Sequence, residues 1–187
     1  MAIIEPLHEI PVSDEVILVR LRMESAADIF HAIDHNRHAL RQWLPFIDNT
    51  WKVEDTEIFI KSIIRSRALK RDLVYEIRYC NAFAGLIALK EIDRWNEKTE
   101  MGYWLDPRYE GKGIMSAACK ILINHAFAHM KLNRIEVKVG VGNARSSRIP
   151  EKLGFKFEGI ERSGEKFDKC YLDLEVFSIL RKEWEDQ

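Results

Sequence analysis

The 187-residue chain lacks an apolar stretch long enough to cross a bilayer, since its longest one covers residues 82–89 and a spanning helix needs about 20. Its first eleven residues lack the basic flank and apolar stretch of a signal peptide. The three cysteines, Cys80, Cys119 and Cys170, are odd in number and form no C-x-x-C pair, which argues against a disulfide framework. These absences favour a reduced, cytoplasmic protein.

The chain also lacks an excess of charge of either sign, with 29 Lys and Arg against 30 Asp and Glu. A net charge of −1 provides no global attraction to nucleic acid or to an anionic membrane, so any site for a polyanion must be local. We therefore expect no membrane partner and no direct binding of nucleic acid. No linker rich in Gly, Ser or Pro divides the chain, and we expect residues 1–187 to form a single domain.

Hydrophobic periodicity predicts strands and helices in the order β-α-α-β-β-β-α-β-α-β-β. The predicted strands cover residues 15–23, 73–79, 83–92, 99–105, 134–141, 155–159 and 171–180. A capping signal at Ser25 opens the first helix, which ends or bends at Pro45. The other predicted helices cover residues 54–69, 113–130 and 144–153. Short links between the central strands imply antiparallel neighbours, so the pattern predicts a mixed α/β sheet covered by helices.

The most informative segment covers residues 101–116, where a predicted strand is followed by a turn and then by a buried helix. Gly111 and Gly113 come directly before that helix. Glycine lets a backbone approach a ligand closely, and the N–H groups at a helix N-terminus attract phosphate. This arrangement predicts a phosphate or pyrophosphate site, to which Arg108 and Lys112 add positive charge.

Two other phosphate-binding motifs fit this segment less well. A P-loop places Lys after the second of two glycines separated by four residues, whereas Lys112 stands between Gly111 and Gly113. A dinucleotide-binding fingerprint needs a third Gly or Ala where Ser116 stands, and an acidic residue after the next strand, where Asn143 stands. The two glycines alone are also compatible with an ordinary helix-entry turn.

Three motifs together resemble a known superfamily. Arg108-x-x-Gly111-x-Gly113 resembles the Gln/Arg-x-x-Gly-x-Gly/Ala loop with which GNAT N-acetyltransferases bind acetyl-CoA. Two further segments resemble the ribosomal-protein N-acetyltransferase (RimJ/RimL-like) branch of that superfamily. One is residues 40–46; the other is residues 143–155, which begin with Asn-Ala-Arg-Ser and end with Glu-Lys-Leu-Gly-Phe. The resemblance runs from about residue 16 to residue 180. It implies the GNAT fold: a mixed, mostly antiparallel central sheet with a splay between two central strands and helices on both faces.

The resemblance implies acetyl-CoA as co-substrate and no metal. The pyrophosphate is expected on backbone amides of Glu110, Gly111, Lys112, Gly113, Ile114, Met115 and Ser116. Pantetheine is expected to pair like an extra strand with Tyr103, Trp104 and Leu105, and an N–H near Leu105 would stabilise the oxyanion of the reacting carbonyl. Asn143 either reaches pantetheine or only caps the helix that follows.

The resemblance also gives candidate catalytic residues. Ser146 either donates a proton to the departing CoA thiolate or serves as a capping hydroxyl. Pro150 has no N–H, so the Ser146 carbonyl is left unpaired and either bends the helix or binds a ligand. The acceptor ammonium must lose a proton before it attacks, which requires a general base or a water chain. Glu100 and Glu158 are the first candidates for that base, the alternative being solvated surface carboxylates.

Trp43 and Phe46 are candidates for the wall of the acceptor site, although an aromatic after a helix also suits the core. We expect the acceptor to be the N-terminal α-amine of a protein such as a ribosomal protein, and the enzyme to be a monomer or homodimer. A small-molecule acetyltransferase acting on a polyamine, aminoglycoside or amino acid stays open, as does a non-catalytic acyl-CoA-binding regulatory module. His125 and His129 are spaced like metal ligands but lack a third ligand nearby in sequence, so no metal site is expected.

Overall fold

The computed structural model describes residues 7–167 and 170–187, which form one eight-stranded sheet with flanking helices. The strands are β1 (Glu9–Pro11), β2 (Val16–Arg20), β3 (Leu73–Tyr79), β4 (Ala82–Asp93), β5 (Lys98–Leu105), β6 (Arg134–Gly140), β7 (Lys156–Phe167) and β8 (Cys170–Leu180). The helices are α1 (Ala26–His35), α2 (Arg37–Leu40), α3 (Val53–Ala68), α4 (Ile114–Ala128), α5 (Ala144–Lys152) and α6 (Arg181–Glu185).

The sheet has the order β1-β2-β3-β4-β5-β6-β8-β7, and its described strands are antiparallel neighbours except for β5 and β6. These two parallel strands pair at three positions, from Lys98 opposite Arg134 to Glu100 opposite Glu136. Beyond Glu100, β5 continues to pair with β4, and β6 continues to pair with β8. A gap therefore opens between the carboxyl ends of β5 and β6. The predicted mixed sheet, with a splay between two central strands, is confirmed.

Helices cover both faces of the sheet because alternate residues of the central strands point to opposite sides. On one face, Leu122 of α4 shares an apolar core with Met101 of β5. On the other face, Ile29 of α1 and Ile60 of α3 share a second core with Trp104 of β5. Burying each aliphatic side chain contributes roughly 1.5–3 kcal/mol, so the two cores hold β5 firmly beside the gap.

Helix α1 starts where the sequence predicts, directly after Ser25, but the Ser25 side chain does not cap it. Ser25 stands at the N-terminus of α1, but its hydroxyl donates to the carboxylate of Glu76 on β3. Glu76 is fully buried and also accepts a hydrogen bond from Arg78 at 3.0 Å. A carboxylate without such partners would be costly to bury. The predicted helix start is therefore confirmed, whereas the predicted side-chain cap is absent because a buried acid distant in sequence takes the hydroxyl.

Several boundaries also differ from the prediction. Asn36 separates α1 from α2, and Pro45 opens a short 3-10 turn over Pro45–Asn49. The sequence did not predict β1, because three residues ending in Pro11 are too few to show an alternating pattern. Strand β7 continues to Phe167, and two irregularities in its pairing with β8 explain why alternation did not reveal its length. Within residues 7–167 and 170–187, the structure contains no helix long and apolar enough to span a membrane.

Candidate active site

The gap between β5 and β6 leaves main-chain groups of β5 facing an open space. The Asp106 N–H donates to the Ala84 carbonyl, at 2.8 Å, on the β4 side. Successive N–H groups along a strand point to opposite sides, so the N–H groups of Tyr103 and Leu105 point away from β4 into the gap. Trp104 directs its main chain at β4 and its side chain into the core. Of the three residues expected to contact pantetheine, Tyr103 and Leu105 therefore face the gap.

The loop after β5 is shaped by Asp106, whose side chain is fully buried. Its carboxylate accepts hydrogen bonds from the main-chain N–H of Arg108 at 2.9 Å and from the Arg108 guanidinium at 2.6 Å. Hydrogen bonding to Asp106 raises the pKa of Arg108. Asp106 thus balances the positive charge that Arg108 was expected to add beside a phosphate. The contacts between Arg108 and Asp106 instead stabilise the shape of the loop.

The N-terminus of α4 is open on the side of the loop. Gly113 is its N-cap residue with φ of 75°, a left-handed conformation that favours glycine, and no atom outside its own turn of chain lies within 4 Å of the place a Cβ would take. The side chains of Ile114 and Met115 are buried, so this first turn presents main-chain N–H groups that lack helical partners. Residues 110–116, expected to bind the pyrophosphate, form this loop and first turn. Their geometry suits a phosphate.

Two charged contacts border the loop. Nζ of Lys112 lies 4.6 Å from the ring centre of Tyr79 and 5.7 Å from that of Tyr109, so aromatic faces hold this cation beside the helix end. Glu110 pairs with Arg145 of α5 at 2.6 Å. Because Glu110 follows β5 and Arg145 follows β6, this ion pair spans the mouth of the gap. The Arg145 side chain is 81% exposed, so water screens the pair and it can open at little cost.

Helix α5 is capped by Asn143, whose side-chain oxygen accepts from the Ser146 N–H at 3.3 Å. Ser147 adds a second link, since its hydroxyl shares its single proton between the carboxylate of Glu175 on β8 and, at 3.3 Å, the Asn143 carbonyl. The hydroxyl that bonds back to the helix start is therefore that of Ser147. A capping role does not account for the side chain of Ser146.

Tyr103 connects β5 to α5. Its hydroxyl donates to the main-chain carbonyl of Ser146 at 3.1 Å. Pro150 stands four residues after Ser146 inside the helix and has no N–H, so this carbonyl lacks its usual helical donor. The tyrosine hydroxyl takes that place. The sequence predicted the unpaired carbonyl, but no sequence signal identified Tyr103 as its partner.

Trp43 lies over the end of β6. A Cβ placed on Gly140 would come within 3.3 Å of the Trp43 ring and 3.5 Å of Leu172, so glycine makes room for the indole. Alternate residues of β6 share a face, so Trp43 lies on the same side of the sheet as Glu136, opposite the α4 core. Phe46 is 42% exposed. Trp43 thus borders the gap on the side away from α4, whereas Phe46 faces solvent.

Glu158 on β7 is held in an ion pair with Arg134, whose guanidinium nitrogens lie 2.7 and 2.6 Å from the two carboxylate oxygens. It also accepts a hydrogen bond from the Ser178 hydroxyl at 2.6 Å. These bonds, above all those from Arg134, lower the pKa of Glu158 to about 2. A carboxylate with so low a pKa is a weak base, which argues against Glu158 as the group that deprotonates the amine.

Glu100 stands at the apex of the gap, at the last position where β5 pairs with β6. Its carboxylate forms an ion pair with Lys90. Leu105 lies five residues further along the strand, roughly 16 Å away at about 3.3 Å per residue. Direct proton transfer needs about 3 Å, so Glu100 can act on an amine near Leu105 only through intervening water.

His125 and His129, which are spaced like metal ligands, form a pair at the end of α4. The rings of His125 and His129 lie 5.2 Å apart. Burial, together with the nearby His129, lowers the pKa of His125. Among the residues that the structure describes, no group of three or more His, Cys, Asp or Glu side chains is arranged to hold a metal ion. The three cysteines are free thiols.

Comparisons with known proteins agree with this geometry. The family model described as an acetyltransferase (GNAT) domain matches residues 15–156. The chain is 33% identical over 177 residues to YdaF of Bacillus subtilis (strain 168), which carries the provisional name ribosomal N-acetyltransferase; the match covers 94% of this chain and 97% of YdaF. It is 26% identical over 169 residues to the ribosomal-protein-serine acetyltransferase of Escherichia coli (strain K12), covering 90% of this chain and 94% of that protein.

A solved structure shows the same fold. RimL, a ribosomal L7/L12 alpha-N-protein acetyltransferase in complex with coenzyme A, matches with a TM-score of 0.88 and 24% identity, over 92% of this chain and 97% of RimL. The family model covers the splayed strands β5 and β6, the glycine loop and α5. The chain therefore belongs to the GNAT family of acetyltransferases.

Proposed function

We propose that this chain transfers the acetyl group of acetyl-CoA to the N-terminal α-amine of a protein, such as a ribosomal protein. The observation that carries the proposal is the gap between β5 and β6, which adjoins the open N-terminus of α4. Pantetheine would pair with the gap-facing main chain of Tyr103 and Leu105, and the pyrophosphate would bind N–H groups of residues 110–116. Lys112 adds positive charge beside that pyrophosphate.

The reaction proceeds by direct attack while both substrates are bound. The amine nitrogen forms a bond to the thioester carbonyl carbon, and the Leu105 N–H donates to the oxyanion that develops on the carbonyl oxygen. The C–S bond then breaks, and the Ser146 hydroxyl gives a proton to the departing thiolate. Ser146 regains a proton, through water, from the nitrogen that has become an amide. The products are an N-acetyl amide and the CoA thiol.

An α-amine is the acceptor that suits the two candidate bases, Glu100 and Glu158. Its pKa is about 7.7–8.0, against about 10.4 for a lysine side chain, which makes deprotonation near neutral pH easier by roughly 3.5 kcal/mol. Glu158 is tied to Arg134, and Glu100 reaches the gap only through water. A water chain from Glu100 is sufficient for an amine that is already partly neutral. The names of YdaF and of the Escherichia coli relative, both tied to ribosomal proteins, support the same choice.

The acceptor would enter on the face where Trp43 borders the gap, opposite the α4 core. This arrangement brings the amine and the thioester into the gap from different sides of the sheet, as direct transfer in a ternary complex requires. Trp43 then forms a rigid apolar wall beside the incoming N-terminal residue.

Release of CoA from acetyl-CoA, measured with a panel of amines, tests the proposal. We expect turnover with ribosomal proteins and peptides that have free N-termini, and none with the same peptides after their N-termini are blocked. Activity confined to polyamines or aminoglycosides would instead assign a small-molecule acetyltransferase. Binding of acetyl-CoA without turnover across the whole panel would assign a non-catalytic acyl-CoA-binding module.

A further inference from the structure

Ser146 lies in a turn of α5 whose regular hydrogen bonding is interrupted. In a regular helix the N–H of residue 150 would donate to the Ser146 carbonyl, and Pro150 has no such group. Ser146 is half-buried, and a carbonyl that is shielded from water and lacks a donor is costly. The hydroxyl of Tyr103, 3.1 Å away, supplies the donor.

This hydrogen bond joins elements from the two sides of the gap. Tyr103 lies on β5, next to the N–H groups proposed to bind the thioester, and Ser146 lies on α5, which follows β6. Backbone pairing between β5 and β6 ends at Glu100. The hydrogen bonds of the sheet therefore do not fix the distance between Leu105 and Ser146. The hydrogen bond from Tyr103 to the Ser146 carbonyl fixes this distance instead.

A second contact across the gap, the Glu110–Arg145 ion pair, is less suited to this task. Both partners are on the surface, where solvent screens the attraction. Tyr103, by contrast, packs against the α4 core. Burial raises the pKa of its hydroxyl well above the usual value. Tyr103 thus keeps its donor proton at any pH at which the amine can react.

From this geometry we infer that Tyr103 is a positioning residue for the transfer step. By pairing with the carbonyl that Pro150 leaves free, Tyr103 holds the Ser146 hydroxyl at a fixed distance from the gap-facing N–H groups of β5. The inference rests on the proposed role of Ser146 as proton donor. It follows that Tyr103 affects turnover through Ser146 and leaves the binding of acetyl-CoA largely unchanged.

The variant Tyr103→Phe removes the hydroxyl and keeps the ring. We expect kcat to fall about three- to tenfold, the scale of one lost hydrogen bond, while KM for acetyl-CoA stays within about twofold. Tyr75→Phe is the matched control. Tyr75 lies on β3, away from the gap, and its hydroxyl donates to the Leu7 carbonyl at 3.0 Å. Its kcat should equal that of the wild type.

Two further backgrounds separate positioning from a general loss of structure. Pro150→Ala restores an N–H for the Ser146 carbonyl, so adding Tyr103→Phe in that background should lower kcat by less than about twofold. In a Ser146→Ala background no hydroxyl is left to position, so Tyr103→Phe should cause no further loss. Full kcat in Tyr103→Phe, or the same loss in all three backgrounds, would overturn the inference.

The kinetics use whichever amine the wild-type enzyme acetylates fastest, so the test does not depend on the preference for an α-amine. A Ser146→Ala variant with full kcat would remove Ser146 from the proposed mechanism and overturn this inference with it. A slow Ser146→Ala variant combined with an additive loss from Tyr103→Phe would overturn the positioning role alone. No turnover by the wild type with any amine would reject both.

Discussion

The ring of Trp43 lies over Gly140 so closely that a Cβ on this glycine would approach it to 3.3 Å. The contact joins the segment after α2 to the carboxyl end of β6, where the central strands have separated. The contact with Trp43 explains why glycine is the last residue of β6, although strands generally favour β-branched and aromatic residues. It also fixes an aromatic wall on the face from which we propose that the acceptor enters.

Gly140→Ala places a methyl group against the Trp43 ring and must displace it. Overpacking of this kind costs about 1–3 kcal/mol in the free energy of unfolding. Because Trp43 is the proposed wall of the acceptor site, its displacement should raise KM for the acceptor by about tenfold, which corresponds to about 1.4 kcal/mol of binding free energy. The affinity for acetyl-CoA, measured by calorimetry on the same variant, should stay unchanged because the helix N-terminus at Gly113 is intact. Weaker binding of acetyl-CoA with an unchanged acceptor KM would contradict the placement of Trp43 on the acceptor side.

Gly113→Asp should abolish measurable binding of acetyl-CoA. The residue has φ of 75°, and the substitution sets a negative charge against the proposed pyrophosphate. Gly113→Asn is the matched control, because it has nearly the same size and tolerates the left-handed conformation, but it carries no charge. We expect the Asn variant to bind more weakly than the wild type and more tightly than the Asp variant. Equal calorimetric affinities in all three proteins would show that this loop does not bind the pyrophosphate.

Ser146→Ala should lower kcat by roughly 10²–10⁴-fold, the range for general acid–base groups, with little change in acetyl-CoA affinity. Ser147→Ala is the neighbouring control. It removes the hydroxyl that bonds to Asn143 and Glu175, so it should cost roughly 1 kcal/mol in the free energy of unfolding and keep most of kcat. The reverse pattern, in which Ser147→Ala is slow and Ser146→Ala is fast, would move the proton donor away from Ser146.

Glu158→Gln should lower stability without changing kcat. The folded-state pKa of Glu158 is about 2, below its ordinary value of 4.5, so the stabilisation is present above about pH 4.5 and disappears as the pH falls toward 2. The side chain is 41% exposed, so screening keeps the effect at about 1 kcal/mol or less. Urea denaturation of both proteins between pH 2 and pH 7 measures this difference. A large loss of kcat would restore Glu158 as the base.

Elements with strong local patterns could be predicted from the sequence, and elements that depend on distant partners could not. The strand over Leu73–Tyr79 matches its prediction at both ends because most of its residues are aliphatic, β-branched or aromatic and a turn at Asn81 follows it. The partner of the Ser25 hydroxyl could not be predicted because Glu76 lies 51 residues away. The donor for the Ser146 carbonyl was missed because Tyr103 lies 43 residues away. Such pairings exist only once the sheet has formed.

The candidate site was predictable in its main chain and less so in its charges. The segment over residues 110–116 could be singled out as a candidate because the loop matched a family motif, whereas the two glycines alone would also suit an ordinary helix-entry turn. The charge of Arg108 depends on Asp106, and the basicity of Glu158 depends on Arg134. These ion pairs decide what each side chain can do, and spacing in the sequence does not reveal them.

The central claim is that the acetyl group goes to a protein α-amine. The most direct measurement incubates the enzyme with acetyl-CoA and a ribosomal protein that has a free N-terminus and several lysines, and then locates the acetyl group by tandem mass spectrometry. We predict one acetyl group on the N-terminal nitrogen, formed at a rate that rises with pH through the α-amine titration near about 7.7–8.0. Acetylation of lysine side chains in an N-terminally blocked version of the same protein, or of added spermidine alone, would contradict the account.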